Sequence, residues 1–450
     1  MVAAAMVCAP ITGVTFVSVP AMVLSHGHSY LQMALGFVVG YALIAWVLIP
    51  LFYRRNVVSI YSVLHDYFGP TGHKAGAWMF LVSKILGAAV RLFVVCLSLQ
   101  LIVFDRIGIP FAANVALIVA LTWAYTARGG VRSVVWADMF KSLCLIVSLT
   151  LCILLVCSAM GLTLTDIPHK VHSHATSRMF FFDNPSESTY FWKQFVGGIF
   201  LVIAMTGLDQ DMMQHPLSCR NIGGARRNMA LSGLLQLAII AMFLILGSLL
   251  AMYLEQNSMT TPDKSDALFA AVAFHDRMPS AIGVLFVLGL VASSYSSLGS
   301  SLTSLTTTFS VDILGIHRLA DNGVSKNRRL IVHTAMAVAL ALVILSLYYA
   351  ESDNAINAVY TLASYTYGPI LGLFAFIFIS RQRLSSRWIP AVCVAAPCLT
   401  WIAQWWLLDT LQYQIGYGLL LLNALFTVTG LSLLWLACRR KQLPSQNAST

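Results

Sequence analysis

Runs of about twenty apolar residues recur from one end of this chain to the other. The 450 residues are 58% hydrophobic and 10% charged, whereas a soluble domain carries about 25% charged residues. Backbone polar groups in lipid must be satisfied within the protein, and α-helices do so segment by segment. The chain is therefore predicted to be an all-α polytopic membrane protein. About 12 transmembrane helices are expected, at roughly residues 1–24, 29–53, 75–105, 112–127, 134–160, 192–214, 229–254, 279–314, 329–350, 355–380, 388–409 and 413–438.

The charged residues between these spans indicate the orientation of the chain. With the N-terminus in the cytoplasm, the inner loops and the tail carry about three times as many arginines and lysines as the outer loops. The net charge of +10 therefore reflects membrane topology and does not indicate nucleic-acid binding. Both termini are predicted to be cytoplasmic. Met1 opens directly into an apolar run and does not begin a signal peptide, and whether a helix precedes it stays open.

Cysteine and histidine placement argues against disulfides and metal cofactors. The nine cysteines lie in or beside predicted spans, without a CxxC pair. Three histidines in the outer loop 161–191 are interpreted as solvated side chains: His169, His172 and His174.

Two predicted spans are interrupted by helix-breaking or polar residues. Span 1 contains Pro10–Gly13, and span 6 contains Thr206-Gly207 followed by the polar run 209–211. Such breaks leave backbone groups free at membrane depth. Spans 1 and 6 hold the same position in two five-span halves, and this match predicts inverted repeats with a transport site at the midplane.

The predicted organisation has four parts. They are a first repeat half at 1–160, a second at 161–380, peripheral spans 11 and 12 at 381–438, and a basic tail at 439–450. An amphipathic segment, Ile60–Phe68, is expected to lie on the inner surface.

A hydroxyl-rich stretch in span 8 indicates a cation site. Ser293–Ser310 reads SSYSSLGSSLTSLTTTFS, and no charged residue follows until Asp312. At helical spacing many of its serines share one stripe, and neutral oxygens suit a small hard cation. The alternative is that small residues allow close helix packing while the hydroxyls bond to backbone.

Four motifs resemble the sodium:solute symporter family. Gly129–Lys141 (GGVRSVVWADMFK), Asp209–Arg220 (DQDMMQHPLSCR), Tyr295–Ile313 and Tyr365–Phe374 (YTYGPILGLF) are similar to the family's patterns on spans 5, 6, 8 and 10. The resemblance covers essentially the whole chain and is nearest in style to bacterial members. It implies a LeuT-type 5+5 inverted-repeat fold and location in the bacterial inner membrane.

The resemblance also implies a sodium site. Its ligands would be the carbonyls of Cys8 and Ile11 in span 1, together with a carbonyl and two hydroxyls of span 8 that fall on Ser293, Ser296 and Ser297. The family's aspartate in span 5, linked to sodium release or a second sodium, falls on Asp138. Sodium is then the coupling ion, and no other cofactor is expected.

This chain departs from the family pattern at several of these positions. Lys141 stands where the family has glutamine, three residues after Asp138, so the two side chains can pair and weaken the case for a second sodium. Gly299 replaces an aspartate found in many relatives, and His215 replaces an arginine. The residue before the first break is Pro10, where some relatives have a polar residue.

Arg91 in span 3 is the main indication of the substrate. An arginine at this depth costs roughly 2.5–3.5 kcal/mol to insert, so it should face a polar cavity. In sialic-acid-transporting relatives an arginine of this helix holds the substrate carboxylate, and Arg91 resembles it. The alternative is a structural arginine that bonds to helix-end carbonyls or pairs with Asp209 or Asp211. Further candidate substrate ligands are Thr12, Thr15, Gln32 and Thr206.

The predicted function is sodium-coupled symport of a small organic solute by alternating access. The solute is expected to be an organic anion such as a sialic or sugar acid, with a neutral sugar or amino acid as the alternative. A membrane-embedded enzyme would need a converging set of catalytic residues, and the nearest candidates are Asp209, Asp211 and His215. A channel and a non-transporting sensor on the same fold are the other classes considered. Sodium, the solute and the lipid bilayer are the expected partners.

Overall fold

The structure is a computed structural model that describes residues 11–55, 59–217, 219, 221–262, 264–315, 323–348 and 355–442. Its described residues form helices joined by loops and contain no β-strand. The principal helices are Gly13–His26, Tyr30–Leu43, Ile49–Arg55, Ser62–Leu99, Phe111–Ala159, Phe191–Val202, Gln210–Leu217, Ile222–Gln256, Ser280–Thr308, Gly323–Leu347, Ala355–Ser380, Ile389–Leu411 and Leu419–Gln442. Short π-helical turns extend four of them, at Ile44–Leu48, Gln100–Phe104, Ile203–Gly207 and Phe309–Ile313.

The apolar helices agree with the predicted spans. Within the described residues, nine helices are long and apolar enough to cross a membrane, and a bent pair in span 6 makes up to ten. Two shorter apolar helices, Gly13–His26 and Phe111–Ala127, coincide with predicted spans 1 and 4. In the most apolar part of span 11, 17% of the residues are buried, against 67% in span 7. This low burial agrees with the prediction that span 11 is peripheral.

Span 6 is broken where the sequence predicted. The segments Phe191–Gly207 and Gln210–Leu217 meet at an angle of 71°. A π-helical turn at Ile203–Gly207 ends the outer segment, and Leu208 leaves helical geometry with φ −111° and ψ 12°. The break therefore exposes helix ends at the centre of the protein, where backbone groups can bind ligands.

Span 1 shows the outer side of its predicted break. The helix begins at Gly13, and Thr12 before it is extended, with φ −121° and ψ 173°. Pro20 lies within this helix. The residues on the inner side of the break, including Pro10 and Cys8, lie outside the described residues.

Spans 4 and 5 correct one expectation. The sequence predicted a loop at 128–133, but helical conformation runs continuously from Phe111 to Ala159. Gly129 and Gly130 lower helix propensity without removing a backbone hydrogen bond, and no proline interrupts this stretch, so the helix continues through it.

The amphipathic segment before span 3 is helical and ends at a sharp kink. Gly69 has φ 68° and ψ −168°, a conformation open to glycine, and Pro70 follows. The two parts of Ser62–Leu99 therefore differ in direction. The first part packs beneath the break in span 6, where the Tyr61 hydroxyl donates to the Leu208 carbonyl at 2.9 Å.

Close helix packing depends on small residues at particular crossings. A Cβ on Gly36 in span 2 would overlap the carbonyl oxygen of Phe195 in span 6, and a Cβ on Gly247 in span 7 would overlap that of Pro20 in span 1. Spans 1, 2, 6 and 7 thus pack as one group. Span 3 packs most extensively against span 10 and also against spans 8 and 9, while Ser280–Thr308 lies along the long helix Phe111–Ala159.

Candidate functional site

The serine-rich face of span 8 presents buried oxygens at the centre of the protein. Ser293 and Ser296 are 0% and 1% exposed. The hydroxyl oxygens of Ser293 and Ser297 are buried and have no hydrogen-bond partner in the described part of the chain. Leaving a buried polar group unsatisfied costs about 1–3 kcal/mol. Two such groups at i and i+4 fit a cation that takes oxygen ligands.

Ser296 differs from these two serines because its hydroxyl already has a partner. It donates a short hydrogen bond to a carboxylate oxygen of Asp138 in span 5. The lone pairs of the Ser296 oxygen stay available to a cation, since a hydroxyl carries one donor and two acceptor sites. The three predicted serines therefore fit a sodium site, although their role as ligands remains a prediction.

A small cavity lies between the break in span 1 and the serine helix. Its walls include Thr12, Arg91, Ser297 and Ser301. The volume is about 20 Å³, which is room for roughly one water molecule. The structure thus brings spans 1, 3 and 8 together around one small cavity, and a solute needs these helices to separate before it can enter.

Arg91 lines this cavity, and within the described residues its side chain donates to a carbonyl of its own helix. Its Nε donates to the Gly87 carbonyl at 2.8 Å, one turn earlier in span 3. Among the described residues no carboxylate lies within 4.0 Å of the guanidinium group. The alternative pairing of Arg91 with Asp209 or Asp211 is therefore wrong for this structure. A guanidinium carries five donors, so it retains the capacity to bind an anion.

Lys84, and not Arg91, forms ion pairs with Asp209 and Asp211. Its Nζ lies 3.0 Å from Asp209 Oδ2 and 2.8 Å from Asp211 Oδ2, and the Lys84 side chain is 1% exposed. Two buried carboxylates at the break of span 6 thus hold the Lys84 ammonium inside the protein. The Tyr367 hydroxyl donates to Asp209 at 2.6 Å, and the Ser300 hydroxyl donates to Asp211 at 3.1 Å.

Asp138 lies in a second buried cluster. Lys141 Nζ is 3.5 Å from Asp138 Oδ1, which confirms that these side chains pair at i and i+3. His215 Nε2 on the inner half of span 6 is 3.6 Å from Asp138 Oδ2. Asp138 and Lys141 are 2% and 0% exposed. The aspartate that the family pattern links to sodium is therefore in contact with a buried lysine.

The other predicted substrate residues divide into three cases. Thr12 lines the cavity. Thr15 lies one turn further along the helix, where its hydroxyl accepts from the Thr12 amide at 3.3 Å. Thr206 is 6% exposed in the π-helical turn before the span 6 break. All three lie at or beside the breaks.

Gln32 has a different position. Its amide nitrogen donates to the Thr189 carbonyl at 3.0 Å, and its amide oxygen accepts from the Phe181 amide at 3.0 Å. These contacts tie the outer loop to span 2. The structure thus gives Gln32 a role in holding this loop, and the cavity walls do not include it.

Sequence reasoning missed three residues of the central site. Ser301 in the cavity wall and Ser300 on Asp211 lie in the same serine-rich stretch, but their spacing alone did not separate them from packing serines. Tyr367 belongs to the span 10 motif and contacts Asp209. The sequence places Lys84, Asp209 and Asp211 within predicted spans. Charged side chains in a membrane interior usually pair with one another, and this was the available signal.

The replacement at position 299 has a structural cause. A Cβ on Gly299 would overlap the hydroxyl oxygen of Tyr125. That hydroxyl donates to the Tyr295 carbonyl at 2.7 Å. The phenol of span 4 therefore fills the space that an aspartate at position 299 would need.

The sequence is similar to several known transporters. It is 25% identical over 405 residues to the sodium/sialic acid symporter NanT of Aliivibrio fischeri, covering 87% of this chain and 77% of that relative. It is 24% identical over 371 residues to the sodium-dependent multivitamin transporter of Oryctolagus cuniculus, covering 81% of this chain. The chain spans 57% of the length of that second relative.

The fold is similar to that of a solved sodium-coupled sialic acid symporter in a substrate-bound outward-open state. The TM-score is 0.78 over 96% of this chain and 88% of that structure, at 20% identity. This likeness confirms the LeuT-type fold expected from the sequence. The sequence profile of the sodium:solute symporter family matches residues 1–385, so the chain is a multi-pass membrane protein that belongs to the sodium:solute symporter family.

Proposed function

We propose that this protein couples the inward movement of sodium to uptake of a small organic anion, such as a sialic or related sugar acid. The observation that carries the anion is Arg91, a residue of the cavity wall whose guanidinium has no carboxylate within 4.0 Å among the described residues. A carboxylate can accept two parallel hydrogen bonds from a guanidinium group. The relatives named as sialic acid symporters support the same class of substrate.

The coupling ion is supported by the unpartnered hydroxyls of Ser293 and Ser297. They lie on the helix that also forms the cavity wall, so sodium and solute would bind beside each other. Sodium shared between the carbonyls of span 1 and these serines would hold the two spans at a fixed separation beside the solute. The proposed location is the bacterial inner membrane with both termini in the cytoplasm, as the loop charges favour.

The proposal is tested by replacing Arg91 with lysine. Lysine keeps the charge but cannot make the bidentate contact. In proteoliposomes with a sodium gradient, Arg91→Lys should reduce uptake of sialic acid at least tenfold, a loss of about 1.4 kcal/mol. Arg178→Lys is the matched control, because Arg178 lies in the outer loop and pairs with Asp183.

A thermal-shift screen separates the competing readings. Organic acids, neutral sugars and amino acids are each added with sodium or with potassium, and a ligand that binds the folded state raises the melting temperature. Stabilisation by an acid only with sodium supports the proposal. Stabilisation by neutral solutes alone would exclude an anionic substrate. If the Arg91→Lys variant binds the acid with the same affinity as the parent protein, Arg91 does not bind the carboxylate.

A further inference from the structure

We propose that Lys141 takes the place of a second sodium ion at Asp138, so that one sodium moves in each transport cycle. This inference rests on the proposed sodium-coupled function and assigns its ion stoichiometry. It identifies Lys141 as a residue that determines how many ions the protein couples.

The geometry places the ammonium of Lys141 where a cation at Asp138 would otherwise be needed. Lys141 Nζ is 3.5 Å from Asp138 Oδ1, and both side chains are almost fully buried. The same carboxylate oxygen accepts a hydrogen bond from Ser296 on the serine helix. Asp138 therefore contacts the proposed sodium helix while its charge is already balanced by a residue one turn along its own helix.

Lys141 is assigned to Asp138 because three other buried carboxylates have their own partners: Asp312 contacts His73, and Asp209 and Asp211 contact Lys84. Lys84 contacts both Asp209 and Asp211. The two carboxylates carry one more negative charge than the single ammonium of Lys84 balances. This excess charge lies at the start of the helix Gln210–Leu217. There the amides of Asp211 and Met212 donate to Asp209 Oδ1 at 2.8 and 3.3 Å, and a helix N-terminus favours negative charge.

A sodium ion added to Asp138 would meet strong repulsion. An ion bound to the carboxylate would lie within about 4–6 Å of the ammonium. Two unit charges about 4 Å apart, at the effective dielectric of a protein, weaken binding by roughly a thousandfold. Sodium at millimolar concentration would not overcome such a loss at a site of ordinary affinity. Asp138 and Lys141 instead act as a neutral pair.

The charge moved in each cycle follows from this assignment. One sodium entering with a monoanion transfers no net charge, and the membrane potential then does not drive uptake. One sodium entering with a neutral solute transfers one positive charge, which gains about 2.3 kcal/mol per 100 mV. Counting bound sodium gives the ion stoichiometry, and the current per transported solute then gives the charge of the solute.

The test restores the family's glutamine at position 141. Purified protein is titrated with radioactive sodium alone, with choline as the replacing cation, and bound sodium per protein is counted. The parent should bind one ion, and Lys141→Gln should bind two. Lys141→Arg, which keeps the charge, should still bind one. Lys170→Gln is the matched control, because it removes the same charge from the exposed outer loop.

A double variant shows whether any added ion lies at Asp138. Asp138→Asn combined with Lys141→Gln removes both charges and should return the count to one. It also addresses folding, because Lys141→Gln alone leaves a buried carboxylate unpaired. If that variant is recovered only in the presence of sodium, the rescue by sodium itself supports a new site, and the double variant should fold without it.

Several outcomes would overturn the inference. Two sodium ions bound to the parent would show that Lys141 does not replace one. If folded Lys141→Gln binds one sodium ion, the charge of Lys141 is not what prevents a second ion from binding. If Lys141→Gln does not fold under any condition, the sodium count of the parent decides, with one supporting and two overturning the proposal. A parent that binds no sodium at all overturns the proposed function and this inference together.

Discussion

The ammonium nitrogen of Lys84 lies 2.8 Å from a carboxylate oxygen of Asp211, and this contact joins span 3 to the inner half of the broken span 6. Both side chains are almost fully buried. Removing two charges from water costs several kcal/mol for each, and only close geometry with further hydrogen bonds offsets that cost. Ser300 supplies such a hydrogen bond to Asp211, and Tyr367 supplies one to Asp209, the second carboxylate on Lys84.

Replacing Lys84 with methionine should therefore destabilise the protein strongly. The change leaves two buried carboxylates without their cation, and breaking a buried pair costs about 3–5 kcal/mol. The melting temperature of detergent-purified protein measures the effect. Lys170→Met in the exposed outer loop should leave that temperature nearly unchanged. Equal melting temperatures for the parent and Lys84→Met would contradict the ion pair.

Removing a single hydroxyl from the proposed sodium site should raise the sodium requirement. For Ser293→Ala and for Ser297→Ala we expect a rise of about tenfold in the half-saturating sodium concentration, or about 1.4 kcal/mol for one lost ligand. The same size of change is expected for Ser296→Ala. Ser304→Ala is the control, because this buried hydroxyl donates to the Ser301 carbonyl at 3.0 Å. If the half-saturating sodium concentration stays the same in Ser293→Ala, Ser296→Ala and Ser297→Ala as in the control, the site is refuted.

A methyl group at position 299 should disturb the contact between spans 4 and 8. Gly299→Ala would overlap the Tyr125 hydroxyl, and overpacking costs about 1–3 kcal/mol. In a double-mutant cycle with Tyr125→Ala, the combined loss of stability should be smaller than the sum of the single losses. Additive losses in the melting temperature would show that these two residues do not compete for the same space.

The stability of the outer face should fall in mild acid. His28 lies in the turn between spans 1 and 2, where burial lowers the pKa of its imidazole below the usual 6.5. Its Nε2 lies 2.8 Å from the Ser248 hydroxyl. A lowered folded-state pKa means that the unfolded chain takes up the proton first. The contribution of His28 is therefore complete above pH 6.5 and decreases as the pH falls towards the folded-state value.

Melting temperatures of the parent and His28→Gln, recorded between pH 8 and pH 5, measure this contribution. The difference between the two proteins should be largest at the upper end of the range and should shrink below pH 6.5. His169→Gln in the exposed outer loop serves as the control. Parallel curves for the parent and His28→Gln would contradict this dependence.

Most of the helical framework could be predicted from composition and local pattern. Long apolar runs place the spans because the lipid interior leaves the backbone few alternatives. The break in span 6 was visible because Gly207 and the polar residues after it interrupt an apolar run. The pairing of Asp138 with Lys141 was predictable for a similar reason, since their spacing on one helix brings them together.

Contacts between distant spans were beyond such reasoning. Lys84 and Asp211 are far apart in sequence, and hydropathy alone gives a buried lysine no reason to choose one partner over another. Gln32 resembled a substrate ligand because it is a polar residue in an apolar run, yet its amide binds the outer loop. The continuous helix through Gly129 was also missed, because helix propensity does not decide whether a segment turns.

The Lys84–Asp211 contact joins span 3 to the inner half of span 6 close to the break in that span. When one rigid body tilts against another, points near the axis of tilt move little, while points at the ends of long helices move by many ångströms. We expect a contact close to such an axis to keep its length while the spans tilt. It can persist while the two mouths of the protein open in turn, so the work of each reorientation falls on contacts near the membrane surfaces.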